Sequence, residues 1–144
     1  PKNAVQEAQL GGRYVGVEYD DLIGDISREL QESIDIALTA RVKPERIIVD
    51  PGIGFGKTVE QNLELVRRLR ELTALGYPML VGPSRKSFIA ACAPNPDGGS
   101  PPPTARLGGT LAAVTAAIMA GAHAVRVHDV APARQAALVA EALA

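Results

Sequence analysis

Three short apolar runs constrain what this chain can fold into more than any other feature. They are Ile47-Ile48-Val49, Met79-Leu80-Val81 and Ala124-Val125-Arg126-Val127-His128. Each ends in polar residues, and each is followed by a stretch with helical character. With helices between them, the order α-β-α-β-α-β-α predicts a parallel sheet with right-handed crossovers and helices outside. Chemistry in such folds gathers at the carboxyl ends of the strands. Three strands are few for a self-contained doubly wound sheet. They suit part of a larger barrel.

The helical stretches are legible from their periodicity. Between Asp20 and Ala40, Leu22, Ile23, Ile26, Leu30, Ile34, Ala37 and Leu38 recur at helical spacing. Asp20 or Asp21 can cap that helix. A second helix is predicted from Val59 to Leu75, with Leu63, Val66, Leu69 and Leu72 on its buried face and Arg67, Arg68, Arg70 and Glu71 in solvent. Gly76 is placed to stop it. Ser84 can cap a helix beginning near Arg85. An alanine-rich helix is expected from Gly109 to Ala120, stopped by Gly121. A last one, with Pro132 in its first turn, ends near Ala144. Residues 1–19 read as a loop. Residues 93–104, rich in proline and glycine, read as an exposed, mobile loop insertion within a single domain. The run Ile47–Val49 shows no alternation, as expected for a parallel strand covered on both faces.

Composition excludes several functions. The chain has 144 residues, of which 47% are hydrophobic and 22% charged, and its net charge is −1. That length supports one domain with a sizeable core, burying roughly 70% of the unfolded surface. The charge balance argues for neither nucleic acid nor a membrane surface. Aromatic residues make up 3%, too few for a base-stacking platform. A single cysteine, Cys92, rules out an internal disulfide and reads as a small apolar filler. Two histidines make a zinc site a poor reading; His123, at a loop edge, is read as structural. No apolar run reaches membrane-spanning length, no signal peptide is visible, and a cytoplasmic location is expected. The chain opens on Pro1 and is expected to be a piece of something longer.

The stretch from Arg46 to Thr58 combines a strand, a carboxylate, a glycine-rich loop and a helix start. Pro51 cannot donate to a ladder, so the strand stops there. Gly52, Gly54 and Gly56 permit positive φ and close approach of a flat ligand. Thr58 with Gln61 reads as a capping box. Two phosphate-binding motifs fail here by one position each. The P-loop needs a glycine where Pro51 stands. The dinucleotide fingerprint needs one where Lys57 stands.

Side by side, the three strand ends form a mixed-charge pocket: Asp50, then Ser84 with Lys86, then Arg126 with His128. Arg126 and His128, two apart, point to one side of their strand. Charged groups seldom sit in an apolar strand without a partner. They could hold a phosphate or pyrophosphate, the arginine through its planar fork. Ser84 and the N–H groups after it could hold a carboxylate. Asp50 could accept two N–H donors from a guanidine-like heterocycle. Each also has a bland reading: Asp50 as a turn residue, Lys86 as a surface lysine. These are ingredients for group transfer with an anionic leaving group.

Three motifs together, Asp50-Pro-Gly-Ile-Gly-Phe-Gly-Lys57, Leu80-Val-Gly-Pro-Ser-Arg-Lys-Ser-Phe88 and Arg126-Val-His-Asp129, resemble dihydropteroate synthase. Pro1-Lys2-Asn3 and Tyr19-Asp20-Asp21 are similar to that family too. The resemblance implies an α/β fold that is the C-terminal half of a (β/α)8 TIM barrel, supplying strands six to eight and helices five to eight. It implies a transferase of folate biosynthesis that joins p-aminobenzoate to 6-hydroxymethyl-7,8-dihydropterin pyrophosphate with Mg²⁺, whose ligand would lie in the missing N-terminal half. By motif position, Asp50 would bind the pterin edge and Lys86 would position the reacting groups. Phe55 would lie against the ligands and Ser84 would receive the aminobenzoate carboxylate. Arg126 and His128 would hold the leaving pyrophosphate. Gly82 and Arg85, within the second motif, complete the implied substrate-binding set. Catalysis would fall to Lys86, Asp50, Arg126 and His128. A homodimer is also implied. Two alternatives are a non-catalytic pterin-binding fragment and a methyltetrahydrofolate:corrinoid methyltransferase; the latter needs no pyrophosphate site.

Overall fold

The computed structural model describes residues 19–143. The expectations for Pro1-Lys2-Asn3, for the opening loop up to residue 18 and for Ala144 lie outside these residues. Helix α1 spans Leu22–Thr39, α2 Val59–Arg67 and the single-turn α3 Leu69–Leu72. Strand β1 is Leu80–Val81, followed by α4, Ser87–Cys92, and α5, Leu107–Met119. Strand β2 is Ala124–Val125, and α6 is Val130–Leu143. The chain is therefore α/β, with helices and parallel segments alternating.

The strands are shorter than their apolar runs. β1 and β2 pair in parallel, Leu80 opposite Ala124 and Val81 opposite Val125. The first run contributes only one parallel bridge, Val49 to Met79. Two bonds hold it, Val49 N–H to the Pro78 carbonyl at 2.9 Å and Leu80 N–H to the Val49 carbonyl at 2.8 Å. A 3₁₀ turn over Pro44–Arg46 precedes it, and neither Pro51 nor Pro78 has an N–H to lengthen the ladder. At the third run, pairing reaches one residue past β2, where Arg126 N–H donates to the Val81 carbonyl at 2.9 Å.

The first run also departs from the expected burial. Ile47 and Val49 are buried, whereas Ile48 between them is 60% exposed. Successive side chains of an extended segment face opposite ways. Only one face of this segment is covered within the described residues.

The helices meet most expectations, with informative shifts. The predicted helix from Val59 breaks at Arg68, whose φ of −102° and ψ of 12° leave the helical region. The guanidinium of Arg68 is clasped there by Glu64 and Glu71, at 2.7 Å to each. This hydrogen bonding holds the Glu71 carboxyl below its usual pKa. The break leaves Leu65, Leu69 and Leu72 fully buried. The buried face of α2 carries Asn62, Leu65 and Val66, with Leu63 only partly covered. Asp21 stands at the N-cap of α1 but makes no side-chain capping bond. The box formed by Thr58 and Gln61 caps α2 as expected. Gly76 takes φ +76° and ends the turn after α3. Ser84 is not a cap: α4 begins at Ser87, with Lys86 before it.

One largely aliphatic core joins α1, α2, α3 and β1 through Ile26, Ile34, Leu65, Leu69, Met79 and Val81. Its chemistry follows from the scarcity of aromatic rings. The glycine-rich loop is tied to this core by Ile53, 2% exposed. Burying such a side chain contributes about 1.5–3 kcal/mol. His123 is structural, accepting the Met79 N–H on Nδ1 at 3.2 Å. Residues 93–104 are mostly exposed. They contain a turn in which Asn95 N–H donates to the Gly99 carbonyl at 2.8 Å.

Candidate active site

The loop after the first bridge is built by backbone sterics and one buried amide. Gly52, Gly54 and Gly56 all have φ between +67° and +76°, where a Cβ is disfavoured. Asp50 Oδ1 accepts the Gly52 N–H at 2.9 Å. The side chain of Asn62, 2% exposed, accepts the Gly54 N–H at 2.6 Å and donates to the carbonyls of Lys57 and Thr58. Lys57 Nζ donates to the carbonyls of Gly52 and Phe55, both at 3.1 Å. Burial pushes the Lys57 amine down to about 8, with Glu29 and Asp50 opposing that shift. Asn62 and Lys57 were not singled out in the sequence. An asparagine on the apolar stripe of a predicted helix was the available signal for the first.

The three strand ends converge on one cleft of about 360 Å³. Phe55, Gly82, Ser84, Lys86, Arg126, Val127 and His128 line it. Asp50 reaches it through Arg126, whose Nη2 donates to Oδ2 at 3.0 Å. Ser84 Oγ accepts the His128 backbone N–H at 3.2 Å and lies 2.8 Å from His128 Nδ1. The Lys86 ammonium sits 3.5 Å from the centre of the Phe55 ring, a cation–π contact. Burial lowers the Lys86 pKa first, the nearby Arg126 charge lowers it further, and Asp50 partly offsets both.

Missing side chains shape the cleft as much as those present. A Cβ at Gly54 would lie 2.6 Å from Lys86 Cδ, and one at Gly82 would lie 2.9 Å from Arg126 Nη2. Both glycines let a cation lie flat across a strand end. The result is two cations, one carboxylate, an imidazole and a hydroxyl around a half-exposed aromatic ring. Such a surface can bind a flat heterocycle on Phe55 and an anion between Lys86 and Arg126.

Arg85 stands apart from this set. Its guanidinium turns to Asp129, at 2.9 Å, and it does not line the cleft. A second groove, of about 310 Å³, runs between α2, α4 and α5 and is almost wholly apolar. Cys92 lies on it and is exposed. The residue read as a small apolar filler thus lines an apolar groove as an exposed thiol, at the end of α4. Among the described residues no three His, Cys, Asp or Glu side chains converge as a metal site would require. No described helix is long and apolar enough to cross a membrane.

Fold and cleft together define an α/β protein with a mixed-charge ligand site at its strand ends. Residues 5–128 match the family model described as pterin binding enzyme, and the chain belongs to that family. It is similar to a dihydropteroate synthase of Synechocystis, 50% identical over 126 residues, covering 88% of this chain and 42% of the relative. Among solved structures it resembles a Clostridium difficile dihydropteroate synthase crystallised in the presence of pteroic acid. The TM-score is 0.82 at 44% identity, over 89% of this chain and 47% of that one. A Xanthomonas albilineans dihydropteroate synthase with 4-aminobenzoic acid gives a TM-score of 0.82 at 37% identity, over 89% and 45%. The chain spans less than half the length of these relatives.

Proposed function

We propose that the cleft is the pterin and pyrophosphate end of a dihydropteroate synthase site, condensing p-aminobenzoate with 6-hydroxymethyl-7,8-dihydropterin pyrophosphate. The observation that carries this reading is the convergence of Asp50, Lys86 and Arg126, from three separate strand ends, beside Ser84 and His128. Asp50 takes the pterin amino edge. Phe55 and Lys86 hold the ring. Arg126 and His128 hold the pyrophosphate. The amine nitrogen attacks the methylene carbon as the carbon–oxygen bond breaks. The electron pair leaves with pyrophosphate, and the amine proton passes to water. Oriented donors at the departing oxygens act where charge develops, and holding both substrates in line supplies the rest. The pteroic acid and 4-aminobenzoic acid named with two relatives are product-like and substrate ligands for such a site.

In this reading the chain is the C-terminal half of a (β/α)8 barrel. The exposed Ile48, flanked by buried Ile47 and Val49, supports it, because a half barrel leaves its inward-facing side chains uncovered. Mg²⁺ would assist with the pyrophosphate charge, held by a ligand in the other half. A homodimer and a cytoplasmic location belong to the same reading.

The test is turnover with labelled p-aminobenzoate, the pterin pyrophosphate and Mg²⁺, with and without the N-terminal half of a relative added in trans. Dihydropteroate in either reaction supports the reading. Pterin binding without product in both favours a non-catalytic pterin-binding protein. Methyl transfer from methyltetrahydrofolate to a corrinoid would overturn it.

A further inference from the structure

Between Ser84 and Lys86, which both face the cleft, Arg85 turns the other way. Its φ is +59°, a left-handed conformation uncommon for a residue with a side chain. Such a conformation persists only where the surroundings over-determine it. They do so here from several directions. The Arg85 N–H donates to Oγ1 of the fully buried Thr110 at 3.0 Å. Its carbonyl accepts from Arg106 Nη1 at 2.8 Å. Its guanidinium donates to both carboxylate oxygens of Asp129, at 2.9–3.2 Å.

Asp129 directly follows His128. The same two loops are thus tied twice, by Arg85 with Asp129 and by Ser84 with His128. The two ties share no atom, and only the Ser84–His128 tie lines the cleft. We propose that Arg85 and Asp129 form a latch that sets the register of the loop after β1 against the loop after β2. Ser84, Lys86 and His128 are then delivered to the cleft as one unit, and Arg85 is a positioning residue that touches no ligand. The planar fork of arginine is needed, because one ammonium cannot span both carboxylate oxygens while keeping the loop in register. The effect on ligand binding rests on the proposed function; the latch itself rests on geometry.

The test compares Arg85→Ala, Asp129→Ala and the double variant, with Arg85→Lys and Asp129→Asn as milder forms should the alanine variants fail to fold. Amide hydrogen exchange is read by NMR, and inorganic pyrophosphate is titrated by calorimetry. Each single variant is expected to speed exchange at the Lys86 and His128 amides about tenfold, including the one on the loop it does not alter, while Leu65 keeps its protection. Pyrophosphate affinity is expected to fall about tenfold in each single variant and no further in the double, since coupled residues lose their shared effect once. Additive losses would mean that Arg85 meets the ligand itself and would overturn the proposal. So would exchange changes confined to the altered loop. If the parent protein binds no pyrophosphate, the functional reading fails and the exchange result alone decides the latch.

Discussion

Asp50 Oδ2 and Arg126 Nη2 lie 3.0 Å apart although 76 positions separate them in the chain. The arginine side chain is 61% exposed and the aspartate 32%. Water screens such a pair, and its contribution to stability is about 0–1 kcal/mol. The pair is therefore a means of orienting the guanidinium at the cleft more than a brace for the fold.

Arg126→Ala is accordingly expected to leave the thermal midpoint nearly unchanged. Affinity for the pyrophosphate-bearing pterin should fall at least about tenfold, the scale of a charge-assisted hydrogen bond. Affinity for pterin lacking pyrophosphate should fall much less. Calorimetric titration of both ligands checks this, and equal losses would count against a leaving-group role.

Gly54 and Gly76 allow backbone strain to be separated from contact. Both have φ +76°, but a Cβ meets Lys86 Cδ at 2.6 Å from Gly54 and nothing within 4 Å from Gly76. Gly76→Ala is expected to cost only the left-handed penalty, about 1–2 kcal/mol in urea denaturation. Gly54→Ala should cost more, displace Lys86 from the Phe55 ring and weaken pterin binding. Equal pterin affinity in the two variants would show that Lys86 is not held by this packing.

Asn62 supports the glycine loop from below. Asn62→Leu leaves the Gly54 N–H and the carbonyls of Lys57 and Thr58 without this partner. The expected destabilisation is about 2–4 kcal/mol, the range for stranding buried polar groups. Amides of residues 52–57 should exchange faster than those of α1.

Lys57 gives stability a pH dependence of definite sign. Its amine is lowered from 10.5 to about 8 by burial, so between those values the unfolded chain binds more protons than the folded one. Stability therefore rises with pH across that window, and the cost of the buried charge is fully present below about 8. Denaturation midpoints measured from pH 7.5 to 10.5 should rise in the parent. Lys57→Met should flatten that rise, by an amount on the order of 1–3 kcal/mol.

The α/β order, the approximate helix positions, the Thr58–Gln61 cap and the positive-φ glycines were all legible in the sequence. Each is governed by neighbours within a few positions: apolar period, capping chemistry, or the absence of a Cβ. The candidate cleft residues were legible as strand-end polar groups. Their partners were not. Arg85 sits between Ser84 and Lys86 in one motif, yet only the folded loop, with its φ of +59°, turns it from the cleft to Asp129. Asn62 sits among apolar helix positions, and only the fold brings the glycine loop onto its side chain. Ile48, expected to be covered, stands exposed because no element among the described residues packs over its face. Local propensity determined roughly where helices form, while the break at Arg68 and the start of α4 at Ser87 were set by tertiary contacts. Long-range pairing, which depends on backbone geometry accumulated over dozens of residues, decided which charges meet and which side chains stay in water.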